Sequence, residues 1–130
     1  MRKRTKPLDF KLRKSARATF DAQSITSDAG LLLLRSLDDR HGLTKRLAAA
    51  LPDTRSGTVV HSMLDLVRSR VLAIAQGYED CNDFDALRTE PLFMAVNDRL
   101  AGDAPLPSQP TLSRFENSLG LEDLVAGRDV

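Results

Sequence analysis

The stretch "VVHSMLDLVRSRVLAIAQ", residues 59–76, constrains the fold more than any other part of the chain. Val60, Met63, Leu64, Val67, Val71, Ile74 and Ala75 recur at three- and four-residue steps. That spacing puts side chains on one face of an α-helix. A stripe this long needs other elements packed over it, so this helix is expected at the centre of the core. Arg68 and Arg70 fall off the stripe. Gly77 follows directly and reads as the helix stop.

The rest of the chain supplies shorter partners. Ser27 reads as an N-cap, with Asp28 in the first turn of a helix that runs to about Arg40. Leu33, Leu34 and Leu37 would share its buried face, and Gly42 would end it. Thr44 can cap a shorter helix through Leu47, Ala48 and Leu51, which Pro52 stops. "PDTRSGT" is a loop by composition. Asp80 or Asn82 can cap a short helix closed by Pro91. Helical segments then cover about residues 92–100 and 110–119, separated by the loop "AGDAPLP", with Gly120 past the second. Thr19-Phe20 and Ser24-Ile25-Thr26 flank a polar turn and read as one or two short strands. The expected fold is mainly α, with short β segments near the N-terminus.

Of the 130 residues, 42% are hydrophobic, 5% are aromatic and none is Trp. Leu, Val and Ala must therefore build most of the core. Cys81 is the single cysteine, so no internal disulfide can form. Together with the lack of a leader-like apolar run, this points to a reducing compartment, the cytoplasm. Leu31–Leu34 is far too short to cross a bilayer, so no membrane partner is expected.

Charge is distributed unevenly. Residues 1–20 carry eight basic side chains, Arg2, Lys3, Arg4, Lys6, Lys11, Arg13, Lys14 and Arg17, against one acid, Asp9. The remaining residues hold eleven basic and seventeen acidic side chains. A basic arm on a mildly acidic body suits contact with nucleic-acid phosphates. A solvated tail that aids solubility has the same composition.

Most catalytic chemistries find no pattern. Glu79, Asp80, Asp83 and Asp85 lack the spacing of a Ca²⁺ loop or a carboxylate pair and read as caps and solvated helix starts. His41 and His61 have no H-E-x-x-H or C-x-x-C partner motif. No Gly-rich phosphate loop or nucleophile elbow occurs. Cys81 lies between an acid and an amide, with nothing to mark it as reactive.

"SQPTLSRFEN", residues 108–117, is different. A helix from about Gln109 sends Leu112, Phe115 and Leu119 toward the core and leaves Thr111, Ser113, Arg114 and Asn117 on polar surface. Arg can contact guanine or phosphate, Asn adenine, and the hydroxyls phosphate. This is the recognition face of a helix-turn-helix-like element, or it is a capped surface helix facing water. The preceding "RLAGDAPLPS" is a Pro-bracketed loop where a helix-turn-helix has a compact turn.

Three blocks, "ITSDAGLLLLRSLDDRHGLTKRLAAALPD", "VVHSMLDLVRSRVLAIAQGYEDCNDFDALRTEP" and "SQPTLSRFEN", occur in this order. Together they resemble the N-terminal region of bacterial insertion-sequence transposases of the group-1 transposase DDE-domain family. "GYEDCNDFDALR" and "SQPTLSRFEN" are the most specific parts of the likeness. It implies DNA cutting and joining at the terminal inverted repeats of a mobile element. The full-length family would use three carboxylates on an RNase-H-like core to bind two Mg²⁺ ions, which activate the attacking oxygen and stabilise the leaving one. Those carboxylates are expected downstream of "SQPTLSRFEN", and no acid of this chain matches them. No catalytic residue, metal site or cofactor is therefore assigned.

The resemblance divides the chain into a basic arm, 1–20, and a helical DNA-binding and assembly region, 21–130, of a truncated reading frame. Full-length transposase or a second copy would be its protein partners. Two other readings stay open: a non-catalytic interaction or inhibitory fragment (or pseudogene product), and a small helix-turn-helix regulator. Leu119, Leu121, Leu124 and Val125 are expected to form an apolar patch.

Overall fold

The computed structural model describes residues 6–19 and 26–130. It is mainly α. A two-stranded antiparallel sheet, β1 (Leu8–Phe10) and β2 (Ala16–Ala18), precedes the helices α1 (Gly30–His41), α2 (Leu43–Ala50), α3 (Met63–Gln76), α4 (Phe84–Leu87), α5 (Pro91–Val96), α6 (Gln109–Asn117) and α7 (Leu121–Arg128). A 3₁₀ turn, Cys81–Asp83, leads into α4. Of the strands expected from sequence, residues 20–25 lie outside the described region and Thr19 and Thr26 are not in strands. The observed hairpin lies earlier, within the basic segment.

α3 is the central helix, but it starts at Met63 rather than at residue 59. Ser62 decides this. The Asp65 N–H donates to its hydroxyl at 3.1 Å, and the Ser62 N–H donates to the Asp65 carboxylate at 2.8 Å. This reciprocal cap satisfies two otherwise orphaned donors and leaves Val59 and Val60 outside the helix. Gly77, at φ +101°, ends α3 in the left-handed conformation that glycine adopts without strain.

The buried face of α3 differs from the apolar stripe. Leu66, Val67, Leu72 and Ala73 are buried, together with Arg68, Ser69 and Arg70. Ile74 is exposed, and Val60 is 73% exposed. The same correction applies to α1. Leu31, Leu32, Arg35 and Asp38 point inward, whereas Leu33 and Leu37 are 59% and 55% exposed. The cause is a buried ion cluster. Arg35 and Arg68 each donate to one carboxylate oxygen of Asp98 at 3.0 Å, and Arg35 also reaches the Val96 carbonyl. Charged groups can turn inward when such partners offset their desolvation.

Asp38 belongs to the same cluster and also corrects the expected caps. Gly42, at φ +66°, is both the C-cap of α1 and the N-cap position of α2. Having no side chain, it cannot cap. The Asp38 carboxylate does so from the preceding helix, accepting the Thr44 N–H at 2.7 Å and the Thr44 hydroxyl. Ser27 does not cap α1; residues 27–29 form a turn. Asp28 accepts the Tyr78 hydroxyl instead, at 3.1 Å.

α5 begins at Pro91, where a missing N–H costs nothing. It ends at Val96 rather than near residue 100, because Asp98 adopts φ +60°. Asp tolerates this region better than most side chains. That turn aims its carboxylate at Arg35 and Arg68. Phe84, Phe93, Leu31, Leu66, Leu106 and Leu112 fill the centre. Tyr78 packs edge-on against Phe93, with ring centroids 5.6 Å apart.

The hairpin pairs Leu8 with Ala18, Asp9 with Arg17 and Phe10 with Ala16. Phe10 joins the core, and Arg13 pairs with Asp103 at 2.8 Å. Residues 8–18 are thus docked on the body. At the other end α7 has no buried residue. Leu121, Leu124 and Val125 are exposed as the sequence suggests, while Leu119 is half-buried. Among the described residues, no helix is long and apolar enough to cross a membrane.

Candidate nucleic-acid interface

α6 has two distinct faces. Leu112 is fully buried and Phe115 is 8% exposed, as their spacing predicts. On the opposite side Arg114 and Asn117 are exposed and Ser113 is half-buried. At 100° per residue these three share one sector, and Thr111 sits on its shoulder. Ser108 occupies the N-cap position, but its hydroxyl bonds the Thr111 hydroxyl at 2.9 Å instead of a backbone N–H.

A buried arginine holds this helix in place. Arg70 of α3 donates to the Glu116 carboxylate and to the carbonyls of Tyr78 and Glu79. The Cys81 thiol donates to Glu116 at 3.3 Å. Burial, then that hydrogen bond, pushes the Cys81 pKa up, which disfavours the nucleophilic thiolate. Nothing in the sequence ties Arg70 to α6, because the pair is joined only in three dimensions.

The flanks of α6 differ in charge. Ser113 borders a shallow, polar depression with Glu79, Asp80 and Glu116. The other flank is a groove of about 500 Å³ between α6 and residues 52–62, lined by Thr111, Arg114, Phe115 and Ser118 and by Arg55 and His61 opposite. Arg55 forms a two-pronged pair with Asp53, both contacts at 2.7 Å, and donates to the His61 carbonyl at 2.6 Å. The Arg114 Nε donates to the Pro110 carbonyl at 3.0 Å. Its terminal nitrogens have no hydrogen-bond partner among the described residues. Sequence reading places Arg55 in a loop and gives it no role; the groove needs the fold to bring residues 52–62 over α6.

The basic segment is a separate cationic surface. Lys6, Lys11 and Lys14 are exposed. Arg13 and Arg17 are partly neutralised, by Asp103 and by Asp9 at 2.7 Å. Arg2, Lys3 and Arg4 lie outside the described residues. Among the described residues, the hydrogen bonds of the hairpin arginines run to Asp9, Asp98 and Asp103 and none to α6. α5 and α6 are joined by residues 97–108, so no compact helix-turn-helix turn precedes α6.

The family model for "Transposase DDE domain group 1" matches residues 8–130. The chain belongs to this family. No curated protein and no solved structure matches it. A divalent ion serving transposase chemistry would need converging carboxylates. Among the described residues, no three His, Cys, Asp or Glu side chains are grouped to hold one. Several of the described acids are used otherwise: Asp80 caps the 3₁₀ turn, Asp38 and Asp98 pair with buried arginines, and Glu116 pairs with Arg70. Among the described residues, this donor set does not fit a two-metal centre.

His61 should give this transposase-family chain a pH response. Burial disfavours its charged form first. Asp65 opposes that shift, and Arg99, Arg88 and Arg55 add to it. Its pKa is therefore below the ordinary imidazole value of about 6.5. Below that value the unfolded chain binds a proton that the folded chain resists, so folding stability falls as pH drops from the ordinary value through the folded one. His61→Gln should flatten this part of the stability profile, measured by denaturant titration between about pH 7.5 and pH 5. An unchanged slope in the variant would contradict the assignment.

Proposed function

We propose that this chain is a DNA-binding and assembly region of a transposase, engaging the terminal inverted repeats of a mobile element without catalytic carboxylates of its own. The observation that carries this reading is the exposed sector of α6, where Ser113, Arg114 and Asn117 stand together on a helix anchored by Leu112, Phe115 and the Arg70–Glu116 pair. An anchored helix can present side chains to base edges in a major groove. Residues 1–20 supply phosphate contacts from Arg2, Lys3, Arg4, Lys6, Lys11, Arg13, Lys14 and Arg17, and residues 21–130 hold the reading helix with Thr111 on its shoulder. The compartment is the cytoplasm.

Binding titrations against element-end and scrambled duplexes test this reading. Arg114→Ala and Asn117→Ala should each cost about 1–3 kcal/mol on the element-end duplex. Binding to scrambled duplex should persist through the basic segment. Equal losses on both duplexes would reduce Arg114 to a phosphate contact. No loss on either, with the fold intact, would leave α6 a surface helix.

The exposed row Leu121, Leu124 and Val125 on α7 favours a second reading. In it, the chain docks on full-length transposase or on a second copy and acts as an interaction or inhibitory fragment. Wild-type chain that binds neither duplex but associates with full-length transposase would favour that role.

A further inference from the structure

We propose that the groove between residues 52–62 and α6 seats a backbone phosphate of the bound DNA, with Arg55 as its principal contact. This deepens the DNA-binding reading and rests on it. Outside residues 1–20 the chain is acidic, with eleven basic side chains against seventeen acids. The groove departs from that background. Its lining holds two arginines, Arg55 and Arg114, and one acid, Asp53. Asp53 is already engaged by Arg55.

The geometry suits an oxyanion. A guanidinium has five N–H donors. Three contacts of Arg55 hold it in place, two to Asp53 and one to the His61 carbonyl. The remaining donors, one on each terminal nitrogen, can serve an anion without reorganising the side chain. Val59, Val60 and Met63 contribute apolar surface to the lining, and low-dielectric walls strengthen charge interactions. The Thr111 hydroxyl, which shares a hydrogen bond with the Ser108 hydroxyl, adds a group of the kind that contacts phosphate. The volume of about 500 Å³ admits a phosphate with its flanking sugars.

The placement divides the work. Arg114 belongs both to the groove wall and to the exposed sector of α6. A phosphate held at Arg55 fixes the register of the duplex, and Arg114 then meets base edges beside it. Backbone contacts position and base contacts specify. Arg55 should therefore act independently of sequence and Arg114 in a sequence-dependent way.

The test uses the full chain and duplex DNA titrated over a range of salt concentrations. Arg55→Gln should weaken binding equally on element-end and scrambled duplexes. It should reduce the slope of log affinity against log salt by about 0.9, the value for one lost phosphate contact. The double variant Asp53→Asn with Arg55→Gln should keep the reduced slope. Recovery of the wild-type slope in the double variant would mean that a freed Asp53 charge caused the loss, and would overturn the proposal. Ser118→Glu, which adds a negative charge to the groove wall, should weaken binding to both duplexes. Arg128→Gln on α7 serves as a control with no expected change. An unchanged slope for Arg55→Gln in a chain that binds DNA overturns the groove assignment alone. Failure of the wild-type chain to bind either duplex overturns the DNA-binding reading and the groove with it.

Discussion

Arg68→Ala should lower the stability of the folded chain by about 3–5 kcal/mol, the range for breaking a buried ion pair by removing one partner. Arg68 is 4% exposed and lies against Asp98, Asp38 and the Thr44 hydroxyl. Truncation leaves Asp38 without its cation in a poorly hydrated interior and the part-exposed Asp98 with Arg35 alone, and it opens space between α1, α2 and α3. Marginal domains have only about 5–15 kcal/mol in total, so the variant should melt far earlier or fail to accumulate. Arg68→Met combined with Asp38→Asn removes the buried charge of each sign, leaves Asp98 paired with Arg35, and should cost much less. Asn suits position 38 because its amide oxygen can still accept the Thr44 N–H. Denaturant titrations of both variants check this. A single-variant loss below about 1 kcal/mol would show that the cluster is solvated and contributes little.

Phe115→Ala should cost about 3–5 kcal/mol, and Leu112→Ala about 2–5 kcal/mol. Both side chains leave α6 for the core, and Phe115 also borders the groove beside residues 52–62. Removing the ring deletes buried apolar area and leaves a cavity that α3 and α6, fixed in position by the Arg70–Glu116 pair, can close only partly. The loss should appear in thermal melts first. DNA affinity should fall on every duplex, because the helix that presents Arg114 and Asn117 loses its seat. This pattern separates the core face from the exposed face: Arg114→Ala changes discrimination at unchanged stability, whereas Phe115→Ala changes stability at unchanged discrimination. A Phe115→Ala chain with a wild-type melt would show that α6 is held by other contacts.

The sequence by itself determined the mainly helical class and the family. It located the stops at Gly42 and Gly77, the Asp80 cap and both faces of α6. These are local matters, set by backbone sterics, by capping groups within a few residues and by a 3.6-residue period. It also marked the apolar row at Leu121, Leu124 and Val125. It did not show which faces of α1 and α3 turn inward. The apolar period pointed to Leu33, Leu37 and Ile74, yet the interior received Arg35, Asp38, Arg68 and Arg70. Burying a charge is favourable only when a partner stands opposite. The partners lie far along the chain: Asp98 is 63 residues from Arg35, and Glu116 is 46 from Arg70. No local pattern encodes such a meeting. The groove over α6 depends on tertiary structure for the same reason. Arg55 reads as one loop residue among many until the fold lays residues 52–62 beside Arg114, and only that juxtaposition turns two arginines far apart in sequence into a surface that can hold an anion.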